Sequence, residues 1–295
     1  MKDLISVIIS TKNEEWCIER CLQSISEQTY KKTEIILVDN FSTDNTRQLA
    51  KKYTNKVFLH GNERSAQRNY GFKIAKGDYG IYVDADMILH PRLLEDSLEE
   101  LKKKKLSGLY IKEIILGKSY WCKVKNFDRS FCDATTIDAV RFINIKKFKE
   151  IGGFDTDLIG FEDWDFNKRL KSHGKVALLS KILKKNNLDW KLKEYVEKKN
   201  VKFNEIKKAC IFHDETNFKI SKFIIKKKYY IKSLSNYKKK WGHKDKELKK
   251  QFGFLYRFLF IYIEKKKWKR FLLRPDLIMG IYILNLIKGY IKFTK

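Results

Sequence analysis

Cysteine is scarce in this chain of 295 residues, and long apolar runs are missing. The five cysteines, at positions 17, 21, 122, 132 and 210, form neither a CxxC pair nor a zinc-binding spacing. We therefore expect no disulfide framework and a reducing compartment. No segment reaches the roughly 18 uninterrupted apolar residues that a membrane-spanning helix needs, and the first apolar stretch is too short for a signal peptide. These absences predict a cytoplasmic protein.

Two common nucleotide-binding motifs are also absent. No GxGxxG follows the first predicted strand, so the dinucleotide-binding fingerprint is missing, and no GxxxxGK[ST] phosphate-binding loop occurs anywhere in the chain. If the protein binds a nucleotide, it must hold that nucleotide in another way.

Acidic residues are outnumbered. The chain has 64 lysines and arginines but only 36 aspartates and glutamates, which gives a net charge of +28. Such an excess predicts attraction to polyanions, a class that includes nucleic acid, anionic lipid and phosphorylated substrates. Part of the excess is compositional, because the whole chain is rich in Lys, Ile and Asn and has only two prolines.

Strand and helix patterns alternate through the first hundred residues. Near-continuous runs of apolar and β-branched residues predict four strands, at 4–10, 34–39, 56–60 and 79–86. Helical patterns predict helices between and after them, at 13–27 with Asn13 as N-cap, at 42–53, at 64–77 and from Pro91 onward. This alternation predicts a mainly parallel sheet, in which ligands bind beyond the carboxyl ends of the strands.

Two acidic motifs are candidates for chemistry. The string VDAD puts Asp84 and Asp86 at the end of a buried strand, where carboxylate oxygens suit Mg²⁺ or Mn²⁺; a plain turn is the alternative. The string GFEDWDF gathers Glu162, Asp163 and Asp165 around a tryptophan. These acids either begin a helix, where free backbone N–H groups favour negative charge, or supply a base for a substrate hydroxyl.

The last third of the chain has a different character. From about residue 216, lysines alternate with Phe, Ile and Tyr, and two apolar stretches follow at 252–263 and 277–287. Each stretch is too short to span a bilayer. They predict either a hairpin packed on the main domain or helices lying in a membrane interface, with lysines toward anionic headgroups. We favour the membrane interface.

Six segments taken together identify a family. In order they are SVIISTKNEE, EIILVDNFSTDNT, RSAQRNYG, GDYGIYVDAD, GGFD and GFEDWDFNKRL, spread over about residues 4–215. This series resembles the family 2 glycosyltransferases of the GT-A fold. The resemblance implies an α/β fold with a mainly parallel, Rossmann-like sheet flanked by helices. It also implies transfer of a sugar from a nucleotide-sugar, by default a UDP-sugar, to an acceptor hydroxyl with inversion of the anomeric centre.

The resemblance further implies roles for individual residues. Asp163 would be the general base, and Mn²⁺ or Mg²⁺ would be held by Asp84, Asp86 and His213. The nucleotide-sugar would be bound by Thr11, Asn13, Glu14, Asp39, Ser42, Arg68 and Asp84. The acceptor side would be shaped by Gly153, Glu162 and Trp164, while Asp165 keeps the structural role at the helix start. Direct displacement fits this division, because it needs a base near the incoming hydroxyl and positive charge on the departing diphosphate.

Two departures from the family pattern leave the nucleotide base and the sugar open. Ser10 occupies a position where proline is usual, and Lys12 replaces a common aromatic residue. For the whole chain we expect a catalytic domain at 1–215 and a basic, aromatic helical extension at 216–295.

The acceptor has two candidate classes. The first is a lipid-linked or cell-surface glycan at the inner face of the cell membrane, with residues 219–295 in peripheral contact with anionic lipid. The second is a soluble or protein acceptor, with the tail as a homodimer interface. Outside this chemistry, a basic nucleic-acid-binding protein would use the lysines and aromatics of the tail but would leave VDAD and FEDWD unexplained. A catalytically inactive scaffold of the same fold would not need to retain these acids.

Overall fold

The computed structural model describes residues 3–183, 188–242 and 244–293. The strands in this part of the chain are β1 (Ile5–Thr11), β2 (Thr33–Asp39), β3 (Val57–Leu59), β4 (Tyr79–Asp84), β5 (Met87–Leu89), β6 (Gly108–Tyr110), β7 (Glu113–Leu116), β8 (Val140–Asn144), β9 (Val176–Leu178) and β10 (Ile211–Asp214). The helices of the N-terminal two thirds are α1 (Ile18–Ser26), α2 (Thr46–Lys51), α3 (Arg64–Ile74), α4 (Leu93–Lys103), α5 (Tyr120–Arg129), α6 (Ile145–Glu150), α7 (Glu162–His173) and α8 (Lys193–Lys198). Those of the C-terminal third are α9 (Ile220–Tyr230), α10 (Leu234–Trp241), α11 (Lys246–Phe252), α12 (Ile261–Ile263), α13 (Trp268–Leu272) and α14 (Pro275–Phe293), with a π-helical turn at Tyr256–Phe260.

The larger sheet has the strand order β3-β2-β1-β4-β8-β6-β9 within the described residues. β1 pairs in parallel with β2 and β4, and β2 pairs in parallel with β3. β8 runs antiparallel to both β4 and β6. The predicted parallel arrangement is confirmed for the N-terminal half. The antiparallel strand lies in the region where the sequence has no clear pattern.

Helices cover both faces of this sheet, which is why β1 is buried along its whole length. On one face, Ile5, Val7 and Ile9 pack in a cluster that includes Cys17 and Cys21 beside α1. These two cysteines are therefore part of the hydrophobic core. On the other face, Ile8 packs in a second cluster that includes Phe72 of α3, Phe148 of α6 and Phe166 of α7.

The loop after β1 differs from the prediction. The first helix begins at Ile18, and Asn13 is not its N-cap. Asn13 has a φ of 54°, a left-handed conformation that asparagine tolerates better than most residues. Its Oδ1 accepts a hydrogen bond of 2.8 Å from the backbone N–H of Thr43. Asn13 therefore ties the loop after β1 to the loop after β2.

A smaller sheet of the described chain has the order β5-β10-β7. β4 ends at Asp84, and the chain turns through Ala85 and Asp86 before β5 begins. β10 pairs antiparallel with β5, with His213 opposite Met87. This pairing brings His213, far away in sequence, next to the VDAD turn.

The C-terminal third packs on the rest of the molecule. Tyr262 and Ile281 share a hydrophobic cluster with Val124 and Phe127 of α5. Tyr237 and Leu248 share another with Phe161, which precedes α7. The two apolar stretches thus form helices packed on the main domain. Among the residues that the structure describes, none of the helices combines the length and apolar character needed to cross a bilayer.

This packing leaves many apolar side chains of the C-terminal helices exposed. Most exposed large apolar side chains of the described chain lie between residues 254 and 290: Phe254, Leu255, Leu259, Phe260, Ile263, Trp268, Leu272, Leu273, Met279, Ile283, Leu286 and Tyr290. Such a concentration is unusual for a surface in contact only with water.

Candidate active site

Three parallel strands end at the same edge of the larger sheet. In the pairing register, Thr11 of β1 lies opposite Asp39 of β2, and Ser10 lies opposite Asp84 of β4. The predicted site residues of the first half of the chain therefore converge at the carboxyl edge, where parallel α/β sheets bind ligands.

A polar cavity of about 320 Å³ opens at this edge. Four predicted site residues from the first βα unit and the VDAD motif line it: Thr11, Glu14, Asp84 and Asp86. His213 lines it from β10, and Arg64, Lys226, Tyr229 and Tyr230 line it from α3 and α9. The cavity thus combines carboxylates with cations and aromatic rings. Below, it is called the donor cavity.

Asp39 and Ser42 lie behind the wall of the donor cavity. Asp39 is fully buried, and its carboxylate accepts hydrogen bonds from both the backbone N–H and the hydroxyl of Ser42. The Ser42 Oγ in turn accepts a hydrogen bond of 2.8 Å from the N–H of Asn13. The sequence predicts that these three residues touch the nucleotide. In the structure their polar atoms are used to hold the loops that form the cavity.

Arg68 also differs from its predicted position near the nucleotide. Its side chain is 0% exposed and lies beneath the cavity. One guanidinium nitrogen, Nη2, donates to Asp84 Oδ1 at 2.8 Å, and Nη1 donates to Asp163 Oδ1 at 3.2 Å. Nη1 also lies 3.6 Å from Oε1 of Glu162. Arg68 therefore links the first aspartate of VDAD to the acids at the start of α7.

This arginine network sets the charge state of the acids. Burial would raise the pKa of Asp84, but Arg68, Arg64 and Arg141 outweigh burial and hold that pKa well below its usual range. Asp84 is therefore ionised at any ordinary pH. Burial raises the pKa of Glu162, although Arg64 opposes the effect from 3.3 Å.

The three predicted metal ligands are divided in the structure. Oδ1 of Asp84 is occupied by Arg68, and its Oδ2 lies 4.0 Å from Arg64. Nε2 of His213 lies 3.1 Å from Oδ2 of Asp86, and the other oxygen of Asp86 is buried without a hydrogen-bond partner. The described residues contain no group of three or more His, Cys, Asp or Glu side chains that could hold a metal ion. Asp86 and His213 remain as an adjacent pair.

Asp163 faces a larger cavity of about 650 Å³, which also reaches Asp84, Asp86 and His213. The hydroxyl of Tyr82 donates to its Oδ1 at 2.8 Å. No hydrogen bond from the described residues reaches the other carboxylate oxygen, and the side chain is 24% exposed. Asp163 is therefore oriented through one oxygen and open through the other. This larger cavity is called the acceptor cavity below.

The three residues predicted for the acceptor side lie in different places in the structure. Trp164 lines the acceptor cavity. Glu162 is buried beside Arg64. Gly153 lies at a turn away from both cavities, with a φ of 66°, and a Cβ there would come within 2.6 Å of Oδ1 of Asn69. Glu162 and Gly153 therefore do not line either cavity. Glu162 is held by Arg64, and Gly153 is required by the turn.

Asp165 has the structural role expected of it. It is fully buried in the first turn of α7. Its Oδ2 lies 2.7 Å from Nη2 of Arg169, and its Oδ1 accepts a hydrogen bond of 3.0 Å from Trp241. It has no part in the cavities.

Sequence reasoning missed the contribution of Arg64 and α9. Arg64 lies one helical turn before Arg68 in the same motif, so that spacing was a usable signal. Lys226, Tyr229 and Tyr230 gave none, because they lie in a lysine-rich segment whose composition indicates a membrane extension. In the structure, Tyr229 donates a hydrogen bond to Glu63 across the donor cavity.

The comparison with protein families agrees with this geometry. Residues 6–148 match the model of the family described as "Glycosyl transferase family 2". Just under half of the chain therefore matches a family 2 glycosyltransferase domain. The match contains the ends of β1, β2 and β4, and so includes the walls of the donor cavity on that side.

Curated proteins similar to this chain come from several organisms. The chain is 32% identical over 137 residues to glycosyltransferase GlyG of Streptococcus pneumoniae, an alignment that covers 44% of this chain and 42% of the relative. It is 33% identical over 116 residues to the poly(ribitol-phosphate) β-N-acetylglucosaminyltransferase TarS of Staphylococcus aureus, covering 36% of this chain and 20% of TarS. The chain is also 30% identical over 206 residues to the dolichyl N-acetyl-α-D-glucosaminyl phosphate 3-β-D-2,3-diacetamido-2,3-dideoxy-β-D-glucuronosyltransferase of Methanococcus voltae, an alignment that covers 58% of this chain and 63% of that protein. The alignments with GlyG and TarS thus span less than half of each relative.

Solved structures agree on the fold. The crystal structure of S. aureus TarS matches 92% of this chain and 45% of the TarS chain, with a TM-score of 0.53 and 17% identity. TarS 1–349 matches 92% of this chain and 75% of its own, with a TM-score of 0.50 and 17% identity. The protein therefore has the predicted GT-A fold: a mainly parallel sheet flanked by helices.

Proposed function

We propose that the protein is an inverting glycosyltransferase that moves a sugar from a nucleotide-sugar, by default a UDP-sugar, to an acceptor hydroxyl. The observation that carries this proposal is the shared acceptor cavity. Asp163 on α7 and the VDAD acids after β4 face it from different elements. A base and a leaving-group site supplied by separate segments are what a direct displacement at one carbon requires.

The proposed reaction is a single displacement. The acceptor O–H gives its proton to the open carboxylate oxygen of Asp163 while its oxygen forms a bond to the anomeric carbon. The bond between that carbon and the donor's phosphate oxygen breaks, and the nucleoside diphosphate leaves with the electron pair. Tyr82 and Arg68 hold the other oxygen of Asp163, so that the base keeps its orientation during the transfer.

A divalent metal fits the pair formed by Asp86 and His213. The buried, unpartnered oxygen of Asp86 is a hard carboxylate ligand that suits Mn²⁺ or Mg²⁺, and the imidazole of His213 lies beside it. Mg²⁺ is commonly held by one or two carboxylates plus substrate phosphates, which agrees with a site of only two protein ligands. When bound, the metal would supply positive charge for the departing diphosphate. The protein's own contribution is to hold Asp86 at the wall of the donor cavity.

The donor class is supported by a relative. S. aureus TarS 1–349 has been crystallised in complex with UDP-GlcNAc. The likeness between that structure and this chain is one of fold, so it suggests which nucleotides to test first. It leaves the sugar open.

The acceptor is proposed to be a lipid-linked or cell-surface glycan at the cytoplasmic face of the membrane. Two relatives have names that specify acceptors with phosphate: poly(ribitol-phosphate) and a dolichyl N-acetylglucosaminyl phosphate. The exposed apolar side chains between residues 254 and 290 and the net charge of +28 support peripheral contact with anionic lipid.

Nucleotide release tests the proposed chemistry. The full-length protein would be incubated with UDP-GlcNAc, UDP-glucose and GDP-mannose, each with Mn²⁺ or EDTA, and the diphosphate freed by slow hydrolysis, with water in place of the acceptor hydroxyl, would be measured. We expect turnover of one nucleotide class, dependent on metal, and weaker donor binding in Asp86→Asn. Asp157→Asn, at an exposed aspartate outside both cavities, is the matched control. A folded protein that binds no nucleotide in the presence of metal would contradict the proposal.

A further inference from the structure

A third cavity lies between the C-terminal helices and the main domain. Its volume is about 430 Å³. It shares Gly160, Trp164, Lys227, Tyr230 and Lys288 with the acceptor cavity. The two spaces are therefore neighbours with a common wall, and that wall carries Trp164, the residue next to Asp163.

The lining of the third cavity is mainly aromatic and aliphatic. Phe161, Phe252 and Phe258 line it from three different segments, and Phe254 and Ile291 complete its apolar side. Phe254 is also 66% exposed. The cavity is thus continuous with the exposed apolar surface of the C-terminal helices.

Cations are concentrated in the same cavity. Lys227, Arg257, Lys288 and Lys292 line it, whereas Asp128 is its single acidic lining residue within the described chain. Lys288 is only loosely paired with that acid, since its Nζ lies 3.8 Å from Oδ2 of Asp128. An apolar cavity with this excess of positive charge would suit an amphiphile that has an apolar chain and an anionic group.

Two of these cations stand out for their poor pairing. No carboxylate of the described residues lies within ion-pair distance of Lys227, whose Nζ lies 5.5 Å from the ring of Phe223 and 5.4 Å from that of Tyr230. Arg257 has a buried nitrogen, Nη1, that lacks a hydrogen-bond partner among the described residues. Burial, together with the neighbouring Lys288 and Lys226, lowers the pKa of Lys227 well below its ordinary value. A phosphate at this point would relieve the repulsion among these cations.

We propose that this cavity binds the phosphate-bearing end of an isoprenoid- or acyl-linked acceptor, with Lys227, Arg257 and Lys288 on the phosphate and the apolar chain against the phenylalanines. The proposal rests on the glycosyltransferase function proposed above and names the residues that select its acceptor. The wall shared with the acceptor cavity determines the orientation in which the acceptor would bind. The sugar of the acceptor would extend past Trp164 toward Asp163, and the lipid would extend toward the exposed apolar helices.

A short amphiphile tests the site in the full-length protein. Binding of farnesyl diphosphate, farnesol and inorganic diphosphate would be measured by calorimetry with UDP and Mn²⁺ at saturation, so that the donor cavity is filled. We expect farnesyl diphosphate to bind at least about tenfold more tightly than either fragment, since both halves of the cavity contribute. Equal affinity for inorganic diphosphate would overturn the role of the apolar lining.

Neighbouring lysines on α9 provide a matched pair of variants. Lys227→Met should weaken farnesyl diphosphate binding about tenfold or more, the size expected when a charged hydrogen-bonding partner is lost. Lys228→Met, at an exposed lysine that lines none of the three cavities, should leave it unchanged. Lys288→Met, on α14, repeats the test independently if the first variant folds poorly. Equal binding by Lys227→Met, Lys288→Met and the wild type would overturn the proposal.

Two further readouts separate this inference from the others. If UDP binds with Mn²⁺ but farnesyl diphosphate does not, the acceptor site is wrong and the proposed glycosyltransferase function is untouched. If UDP itself does not bind, the result contradicts the proposed glycosyltransferase function, on which the acceptor site depends. Flotation with phosphatidylglycerol vesicles should be the same for Lys227→Met and Lys228→Met; a loss confined to Lys227→Met would assign this lysine to membrane headgroups instead.

Discussion

The hydroxyl of Tyr82 donates a hydrogen bond of 2.8 Å to Oδ1 of Asp163. Tyr82 lies on β4, two residues before Asp84, so the strand that carries the VDAD motif also orients the proposed base. Burial raises the pKa of Tyr82 well above its ordinary value. The tyrosine is therefore a hydrogen-bond donor at any working pH.

Removing the Tyr82 hydroxyl should slow sugar transfer without unfolding the protein. In Tyr82→Phe the ring stays in place and only the hydrogen bond to a carboxylate is lost, which costs about 1.5–3 kcal/mol. We expect kcat to fall roughly tenfold to a hundredfold, with the affinity for UDP unchanged. Tyr70→Phe, at a tyrosine stacked on His60 away from Asp163, is the control. An unchanged kcat in Tyr82→Phe would show that Asp163 needs no orientation from β4.

Arg68 should be a stability residue as much as an active-site residue. It is fully buried and pairs with Asp84 and Asp163, so Arg68→Met would leave these acids without their main cation. Breaking a buried pair from one side costs about 3–5 kcal/mol. We expect a loss of that size in the free energy of unfolding measured with urea.

Arg274→Met is the matched comparison for Arg68→Met. Arg274 pairs with Asp276 at the surface, where both side chains are about half exposed, and such pairs contribute little. A similar, small loss in both variants would contradict the buried network.

The sequence predicts those parts of the site that depend on neighbouring residues, and it does not predict those that depend on contacts between distant segments. The ends of β1, β2 and β4 are predicted within one or two residues, because buried parallel strands are continuous apolar runs. The positive φ of Asn13 and the loop contacts of Ser42 are not predicted, since they depend on two loops meeting across the sheet edge. Sequence spacing alone favours a helix cap at both residues.

The C-terminal third shows the same limit more clearly. Its alternating lysines and aromatics predict a separate extension, yet Lys226 and Tyr230 of α9 line the donor cavity. The position of Tyr230 is set by Arg64, which lies 5.3 Å from its ring, and by Gly160, where a Cβ would come within 2.4 Å of that ring. Contacts between segments about 70 and 160 residues apart in sequence leave no periodic pattern to detect.

Acid pH should destabilise the protein partly through Glu113. Burial would raise the pKa of this carboxyl, but Arg129 and Arg141 outweigh it and lower the pKa to about 2. A lowered folded-state pKa adds stability above the unfolded pKa of about 4.3, and that stability is lost as pH falls toward 2. We expect the free energy of unfolding of Glu113→Gln to depend less steeply on pH between about 5 and 2 than that of the wild type.

Glu205→Gln is the control for this pH experiment. The side chain of Glu205 is 70% exposed and pairs with Lys202, which is itself 80% exposed. The free energy of unfolding of Glu205→Gln should depend on pH as that of the wild type does. Parallel profiles for Glu113→Gln and the wild type would contradict the role assigned to Glu113.

The exposed apolar helices should bind anionic membranes. Leu272 and Leu273 are 63% and 76% exposed at the end of α13, so replacing both with serine removes apolar surface without opening the core. We expect flotation with phosphatidylglycerol vesicles to fall, and the remaining binding to weaken as salt rises. Ile182→Ser, at an equally exposed apolar residue of the main domain, should bind as the wild type. Equal flotation of both variants would contradict membrane contact through these helices.

The most direct test of the account is the Asp163→Asn variant, assayed for nucleotide binding and for sugar transfer in parallel. Asp163 lines the acceptor cavity but not the donor cavity, although the two cavities share Asp84, Asp86 and His213. We predict that transfer falls at least about a hundredfold, the contribution of a general base, while UDP binding in the presence of Mn²⁺ is unchanged. Undiminished transfer, or an equal loss of binding and transfer in a folded variant, would contradict Asp163 as the base.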